Sequence, residues 1–290
     1  MSWRTVMITK KSRLSYQNNH LVIRNEEMVK LIHLSEINTV ILECPQITVT
    51  VPLMSELMEN KIKLIICDEA HHPKGELVPY YGNFHCSKMV SNQIKWNQDI
   101  QDYVWQEIIR QKIKNQAKVL QKYKKPNSEK LFAFLENSDL REDIASCEGI
   151  ASKIYFTSLY GEDFVRDGHQ YSNALDYGYT IILSNFNKEI VSLGYNTQLG
   201  IFHHNEYNYF NLSCDLMEPF RVLVDEYVLT NEIKTLDLEA KLQIVNLLNQ
   251  KIKINGKSYY LTNAIQVYLR SVFKSLETGL LEELCFFEFE

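Results

Sequence analysis

Ile94-Lys95-Trp96-Asn97-Gln98-Asp99-Ile100-Gln101-Asp102-Tyr103-Val104-Trp105-Gln106-Glu107-Ile108-Ile109-Arg110-Gln111-Lys112-Ile113-Lys114-Asn115-Gln116-Ala117-Lys118-Val119-Leu120 is the stretch on which the reading of this chain turns. Ile94, Ile100, Val104, Trp105, Ile108, Ile109, Ile113, Ala117 and Leu120 recur three or four residues apart, as on one face of an α-helix. After Cys86 there is no proline until Pro126 and no glycine until Gly149, so neither strong breaker interrupts the pattern. Downstream, periodicity predicts helices over 131–136, 143–160, 172–195, 216–228, 236–249 and 258–277.

Upstream the period changes to that of strands. A short strand runs from Thr5 to Thr9. Arg13 to Gln17 and His20 to Arg24 flank Asn18-Asn19, a pair that tolerates the positive φ of a tight hairpin turn. Thr39-Val40-Ile41-Leu42, Thr48-Val49-Thr50-Val51 and Lys63-Leu64-Ile65-Ile66-Cys67 read as buried strands, and Pro52 opens a helix through Glu59. Pro73, Gly75, Pro79 and Gly82 then punctuate a connecting stretch. The expected fold class is α+β: a small N-terminal β-rich domain over 1–73, a linker over 74–90, and a larger all-α domain over 91–290, the candidate catalytic one.

With 290 residues and 45% hydrophobic composition, the chain has ample material for a core. The net charge of −5 argues mildly against a nucleic-acid partner when taken globally. Locally it does not. Residues 88–130 hold ten Lys or Arg against four acids, while the tail from Leu276 has five Glu and no base. Phosphate binding responds to local charge, although a lysine-rich solvated helix face accounts for the run equally well. The six cysteines include no C-x-x-C pair, so reduced thiols and a cytoplasmic home are expected. No signal-peptide pattern or membrane-length apolar run is found.

Asp68-Glu69-Ala70-His71 spells the acidic box of a helicase ATPase. Its required partner, a phosphate-cradling glycine loop, is missing: Lys251 stands five residues before Gly256-Lys257-Ser258, where a glycine is needed. As a metal cluster, Asp68, Glu69, His71 and His72 fail because four near-adjacent side chains cannot all point at one ion. A polar strand end entering a loop is the preferred reading.

Glu148, His203 and Glu218 each place a hydrogen-bonding or metal-binding side chain within an apolar stretch. Burying a carboxylate costs several kcal/mol unless a cation or proton compensates it. Ile144, Glu148, Ala151 and Tyr155 fall on one helix face, which turns Glu148 toward the core. Asp215 and Glu218 are spaced i, i+3 and share a face if helical. Pro219 suits a first helical turn. Two carboxylates and an imidazole could converge on one divalent ion, but a cap or salt bridge for Glu148 and a structural role for His203 remain open.

In order and context these segments resemble the CRISPR-associated integrase family, the catalytic subunit of the spacer-acquisition complex, and within it the type II-A branch. The resemblance spans essentially the whole chain. It rests on Trp3-Arg4-Thr5-Val6, Leu14 to Leu21, Leu31 to Ile37, the Glu148 segment with Ile154-Tyr155-Phe156, Leu175 to Thr180, and Asp215 to Arg221. It implies Glu148, His203 and Glu218 as catalytic ligands of Mg²⁺ or Mn²⁺, with Asp215 assisting. It places Lys153 and Arg221 on DNA phosphates and Tyr16 at a duplex end, a residue that also reads as hairpin core. Ile150 and Phe202 stand where near relatives are often polar, and are expected to tune metal or DNA affinity.

The implied activity joins the 3′-hydroxyl of a short DNA fragment to the leader-repeat boundary of a CRISPR array by transesterification. Implied partners are double-stranded DNA (prespacer and repeat), a second copy in a homodimer, and a smaller adaptation subunit in a four-to-two hetero-hexamer. The RNA-guided effector nuclease and an accessory DNA-binding ring protein are further partners. No membrane is involved. A metal-dependent endonuclease acting on branched DNA without joining, and a non-catalytic DNA-binding scaffold, are the competing readings.

Overall fold

The computed structural model describes residues 4–79, 83–137 and 144–289. Trp3, Gly82 and the expected helix start at position 143 lie outside the described residues.

The N-terminal part is built on two sheets. In the first, β1 (Arg4–Ile8), β5 (Ile37–Leu42) and β7 (Lys63–Cys67) run parallel, and β8 (Pro73–Leu77) closes the edge antiparallel to β7. In the second, β2 (Arg13–Gln17), β3 (His20–Arg24) and β4 (Val29–His33) form an antiparallel meander, with the short β6 (Thr48–Val49) parallel to β2. Asn18 and Asn19 turn the β2–β3 hairpin at φ 46° and 62°, as the pair predicts.

Along β5 and β7 alternate residues face opposite ways. Val40, Leu42 and Leu64 join the N-terminal core with Leu14, Leu21, Leu53 and Leu57. Ile41, Ile65 and Cys67 join the core of the helical part instead. A sheet covered on both faces explains why these strands read as continuous apolar runs. It also means that the two parts share packing across this sheet.

Two expectations change here, and one strand went unread. Thr48 to Val51 is not a buried strand. Only Thr48–Val49 pairs, and Val51 is 76% exposed because α1 (Val51–Glu59) begins there, with Thr50 at the N-cap position and Pro52 in the first turn. β4 is an edge strand whose Val29 and Leu31 face outward, so it carries no burial signal. The stretch over 74–90 is more structured than its Pro and Gly suggest. Pro73 can begin β8 because an edge strand tolerates a missing N–H, and α2 (Cys86–Gln93) follows.

The helical part contains α3 (Gln98–Lys122), α4 (Ser128–Asn137), α5 (Ile144–Tyr160), α6 (Ser172–Ser192), α7 (Asn211–Met217), α8 (Arg221–Thr230), α9 (Leu238–Asn246) and α10 (Leu261–Thr278). It is not purely α. β9 (Lys251–Ile254), β10 (Lys257–Tyr260) and β11 (Phe287–Glu288) form a small antiparallel sheet. Lys251-Ile252-Lys253-Ile254 alternates with period two, and Asn255 and Gly256 adopt positive φ as a hairpin turn. Gly256-Lys257-Ser258 is thus a turn and strand, incompatible with a phosphate loop.

The acidic box is equally local. Asp68 Oδ1 accepts the N–H groups of Ala70 and His72, both at 3.0 Å, in the turn between β7 and β8. Polar ties then fix the helical part against the first sheet. Ser184 Oγ donates to Glu76, itself paired with Lys63, and Lys241 Nζ donates to the His71 carbonyl at 3.0 Å. No described helix is long and apolar enough to cross a membrane.

Candidate active site

α3 is the spine of the site. Its buried stripe, Ile108, Ile109, Ile113, Gln116 and Val119, also contains Lys112, whose side chain is only 9% exposed. Lys112 Nζ lies 2.5 Å from Glu148 Oε1 and 2.6 Å from Glu218 Oε2. Glu148 comes from α5. Glu218 begins a 3-10 turn, Glu218–Phe220, between α7 and α8. Pro219 breaks the helical hydrogen-bond ladder there, and Asn115 Nδ2 of α3 donates to the Pro219 carbonyl at 3.0 Å. The Arg221 Nε–H donates to Glu218 Oε1 at 2.8 Å.

The Glu218 carboxyl therefore sits between two cations. Burial works against its ionisation, but Arg221 and then Lys112 outweigh it and hold the group down at about 2. Burial likewise opposes the charge on Lys112, while Glu218 and Glu148 leave its pKa above the usual value.

His203 is set by a different carboxylate. Asp215 is fully buried at 0% exposure. Its Oδ2 accepts the backbone N–H groups of Ile201 at 2.7 Å and Phe202 at 3.0 Å, and the His203 N–H lies 3.3 Å away. Its Oδ1 accepts from His203 Nδ1. The loop wraps so closely that a Cβ on Gly200 would collide with the His203 carbonyl oxygen; glycine is required by that approach. The Asp215 hydrogen bond, ahead of opposing burial, raises the His203 pKa, and Glu218 and Glu148 raise it further. A carboxylate only accepts, so Nδ1 carries the proton of this bond, and in the neutral ring Nε2 is the free lone pair. Phe202 stacks on the buried Trp105 of α3 with ring centroids 4.7 Å apart, and His203 meets the same ring edge-on. Phe202 thus has a packing role that fastens the histidine loop to α3.

The structure gathers Glu148, Glu218 and Arg221 around Lys112, and joins His203 to Asp215 beside them. It does not bring in the other two residues. Lys153 is exposed, about 140° round α5 from Glu148. Tyr16 is half-buried against the N-terminal core and donates to Asn19 Oδ1 at 2.8 Å. The basic run over 88–130 also divides. Lys112 is internal, Lys122 pairs with Glu226, and Lys118 donates to the Phe289 carbonyl, while Lys88, Lys95, Lys114, Lys124 and Lys130 are exposed.

Among the described residues, no three His, Cys, Asp or Glu side chains stand ready as a metal cage. The donor chemistry nonetheless fits a small divalent ion. Two hard carboxylates converge on one cation, and a neighbouring imidazole is oriented through its own carboxylate, as metal-ligating histidines are.

The family model for CRISPR associated protein Cas1 matches residues 6–255. The chain belongs to the Cas1 family. It is 32% identical over 226 residues to the "CRISPR-associated endonuclease Cas1" of Neisseria meningitidis serogroup C (strain 8013), covering 78% of this chain and 74% of that one. A casposase bound to integration product superposes with a TM-score of 0.75 at 18% identity, over 96% of this chain and 91% of its own. A chain of a Cas6-RT-Cas1–Cas2 complex gives 0.74 at 19% identity, over 97% of this chain and 36% of that longer one. At these identities the solved structures establish the Cas1 fold.

Behind Glu148 and Glu218 lies a second network that sequence reading missed. Asp225 of α8 is buried and accepts from Tyr155 Oη at 3.1 Å and from Tyr179 Oη. The Tyr179 ring is flanked by Arg221 at 4.8 Å and Arg166 at 4.9 Å. The chain of contacts from Asp225 through Tyr179 to Arg221 ends on Glu218. Burial pushes the Asp225 carboxyl up to about 6, with the two tyrosine hydroxyls pulling the other way. The folded chain then keeps a proton that the unfolded chain, at its ordinary 3.8, gives up. Stability falls as pH rises through that window and levels off above it, by about 2 kcal/mol between about pH 4.5 and about pH 7.5. Asp225→Asn should flatten that segment in urea melts at the two pH values. An unchanged slope would show that Asp225 is ionised throughout.

Proposed function

We propose that the chain is a metal-dependent DNA integrase of CRISPR adaptation. It joins the 3′-hydroxyl ends of short foreign DNA fragments to the leader-repeat boundary of a CRISPR array. The observation that supports this most directly is the pair of glutamates, from separate elements, closing on one cation at 2.5 and 2.6 Å beside a histidine held by a buried aspartate.

Glu148, Glu218 and His203 would hold Mg²⁺ or Mn²⁺. Hard oxygens suit either ion, and an imidazole tilts the choice slightly toward Mn²⁺. Once bound, the ion would orient the attacking hydroxyl and neutralise charge building on the phosphate. Asp215 keeps Nε2 of His203 available as a ligand. Arg221 keeps Glu218 ionised, and its guanidinium is suited to a phosphate of the scissile strand. Trp105 and Phe202 hold the loop in place by stacking. The nucleophile comes from the DNA, so no serine, tyrosine or cysteine nucleophile is needed.

Family membership supports the reading of the partners. One relative's structure is described as a Cas1–Cas2 complex, which supports a smaller adaptation subunit bridging two homodimers. Prespacer and repeat DNA, the effector nuclease and a ring-shaped accessory protein complete the assembly. Tyr16 at the duplex end and Lys153 on the DNA track belong to that larger assembly.

The test is strand transfer of a short duplex into a supercoiled, repeat-bearing plasmid with Mn²⁺ present. Glu148→Ala is expected to abolish it, and survival of joining in that variant would defeat the proposal. A second reading is favoured by the curated relative's name, endonuclease: cleavage of branched DNA without joining. It predicts nicked products that lack the donor fragment.

A further inference from the structure

The two glutamates that the proposed function gives to a metal already have a cation between them, and it belongs to the protein. Lys112 does not reach the site by chance from the surface. It stands on the inward stripe of a 25-residue helix, three residues from Ile109 and four from Ile108. A lysine there would be expelled from the core were it not matched by two carboxylates, since an unpaired buried ammonium is strongly disfavoured.

An ammonium and a divalent ion cannot share this position. Carboxylate oxygens bind Mg²⁺ or Mn²⁺ at about 2.0–2.2 Å, so an ion on Glu148 Oε1 and Glu218 Oε2 would overlap the space that Lys112 Nζ fills at 2.5 and 2.6 Å. Repulsion between the two positive centres at such range is large in a buried setting. One of them must leave, and the lysine has the flexible stem to do so.

The two carboxylate oxygens of Glu218 are held differently. Oε1 takes a hydrogen bond from Arg221, which remains compatible with a ligated glutamate. Oε2 is buried and receives no well-directed hydrogen bond among the described residues. Its close neighbour is the Lys112 ammonium, 2.6 Å away. The guanidinium thus fixes Glu218 in both states, and the ammonium holds the exchangeable position.

We infer that Lys112 is a resident counter-cation: it keeps Glu148 and Glu218 together in the metal-free chain and competes directly with the divalent ion for them. The wild-type site therefore loads at a higher metal concentration than its ligands alone would require. This rests on the metal reading above, so the test separates the two.

The full-length chain, stripped of metal and without DNA, is titrated with MnCl₂ by calorimetry. Lys112→Met removes the charge and keeps most of the stem, and it should bind Mn²⁺ about tenfold more tightly than wild type. Lys112→Arg keeps a cation and should gain nothing. Damage to the fold would weaken binding, so a gain in affinity is a result that a merely structural lysine cannot produce. If Lys112→Met folds only when Mn²⁺ is present, melting followed against MnCl₂ reports the same linkage and supports the inference. Equal or weaker binding by Lys112→Met overturns it, with the metal reading intact provided that Glu148→Gln abolishes the wild-type isotherm. If Glu148→Gln leaves that isotherm unchanged, the metal reading falls and the inference falls with it.

Discussion

Asp215→Asn is expected to fold and yet lose about ten- to a hundredfold in metal affinity, with strand transfer falling at least as far. The carboxylate has two jobs, and the amide can do only one. On the Oδ2 side, the amide oxygen can still accept from Ile201 and Phe202, at present 2.7 and 3.0 Å away. The loop then stays folded over the substituted side chain, at a stability loss of about 1–3 kcal/mol. On the Oδ1 side, an NH₂ would now face His203 Nδ1. It can only donate, so Nδ1 must become the acceptor and the ring proton moves to Nε2. A protonated Nε2 cannot ligate a metal. The variant is therefore expected to melt cooperatively and to show a weakened Mn²⁺ isotherm. Asp215→Ala, which orphans all the N–H groups that Asp215 accepts, should be less stable than Asp215→Asn. Wild-type metal affinity in Asp215→Asn would mean that His203 is not a ligand through Nε2.

How much of this was legible beforehand differs from element to element. The long helices and the β2–β3 hairpin were, because periodicity and Asn-Asn turn chemistry are local properties, whereas α2 fell within the stretch read as a linker. β4 and β8 were not. Both are edge strands, where one side of the pairing is missing and side chains face solvent, so no burial pattern is written into them. The β9–β10 hairpin had a local signal, Lys-Ile-Lys-Ile before Asn-Gly, that competed with a helix expected from 258. For the site, sequence supplied the anionic half: Glu148 and Glu218 stood out as acids in apolar company, and Asp215 through its i, i+3 spacing to Glu218 and the family resemblance. The cationic half did not stand out. Lys112 was one of many lysines in a basic run, and its place on the Ile108–Ile109–Ile113 stripe was a sign of burial that net charge obscured. Asp225, among Val222, Leu223, Val224 and Val228, carried the same sign. Which acid meets which base depends on how α3, α5 and the Glu218 turn cross, and that is a tertiary fact.

The two proposed carboxylate ligands should separate in stability even though loss of either is expected to abolish joining. Glu218 is 5% exposed and neutralises Lys112 and Arg221 together. Truncating it in Glu218→Ala leaves the buried Lys112 with only Glu148 as an ion-pair partner, beside a partly buried Arg221 that has lost its carboxylate, and removing one member of a buried ion cluster costs about 3–5 kcal/mol. Glu148 has a side chain 22% exposed and touches Lys112 alone. Its loss still leaves Lys112 paired with Glu218, so Glu148→Ala should cost no more than about 1–2 kcal/mol. Denaturant melts in EDTA measure this difference without interference from metal, and the strand-transfer assay is expected to read no joining for either variant. Equal destabilisation would contradict the arrangement in which Arg221 and Lys112 both depend on Glu218. A Glu218→Ala chain that kept strand transfer would remove Glu218 from the catalytic set. The contrast has a structural origin in the chain itself: Glu218 sits where Pro219 halts one helix and Arg221 starts the next, so the residue that anchors the charge cluster also marks the joint between α7 and α8.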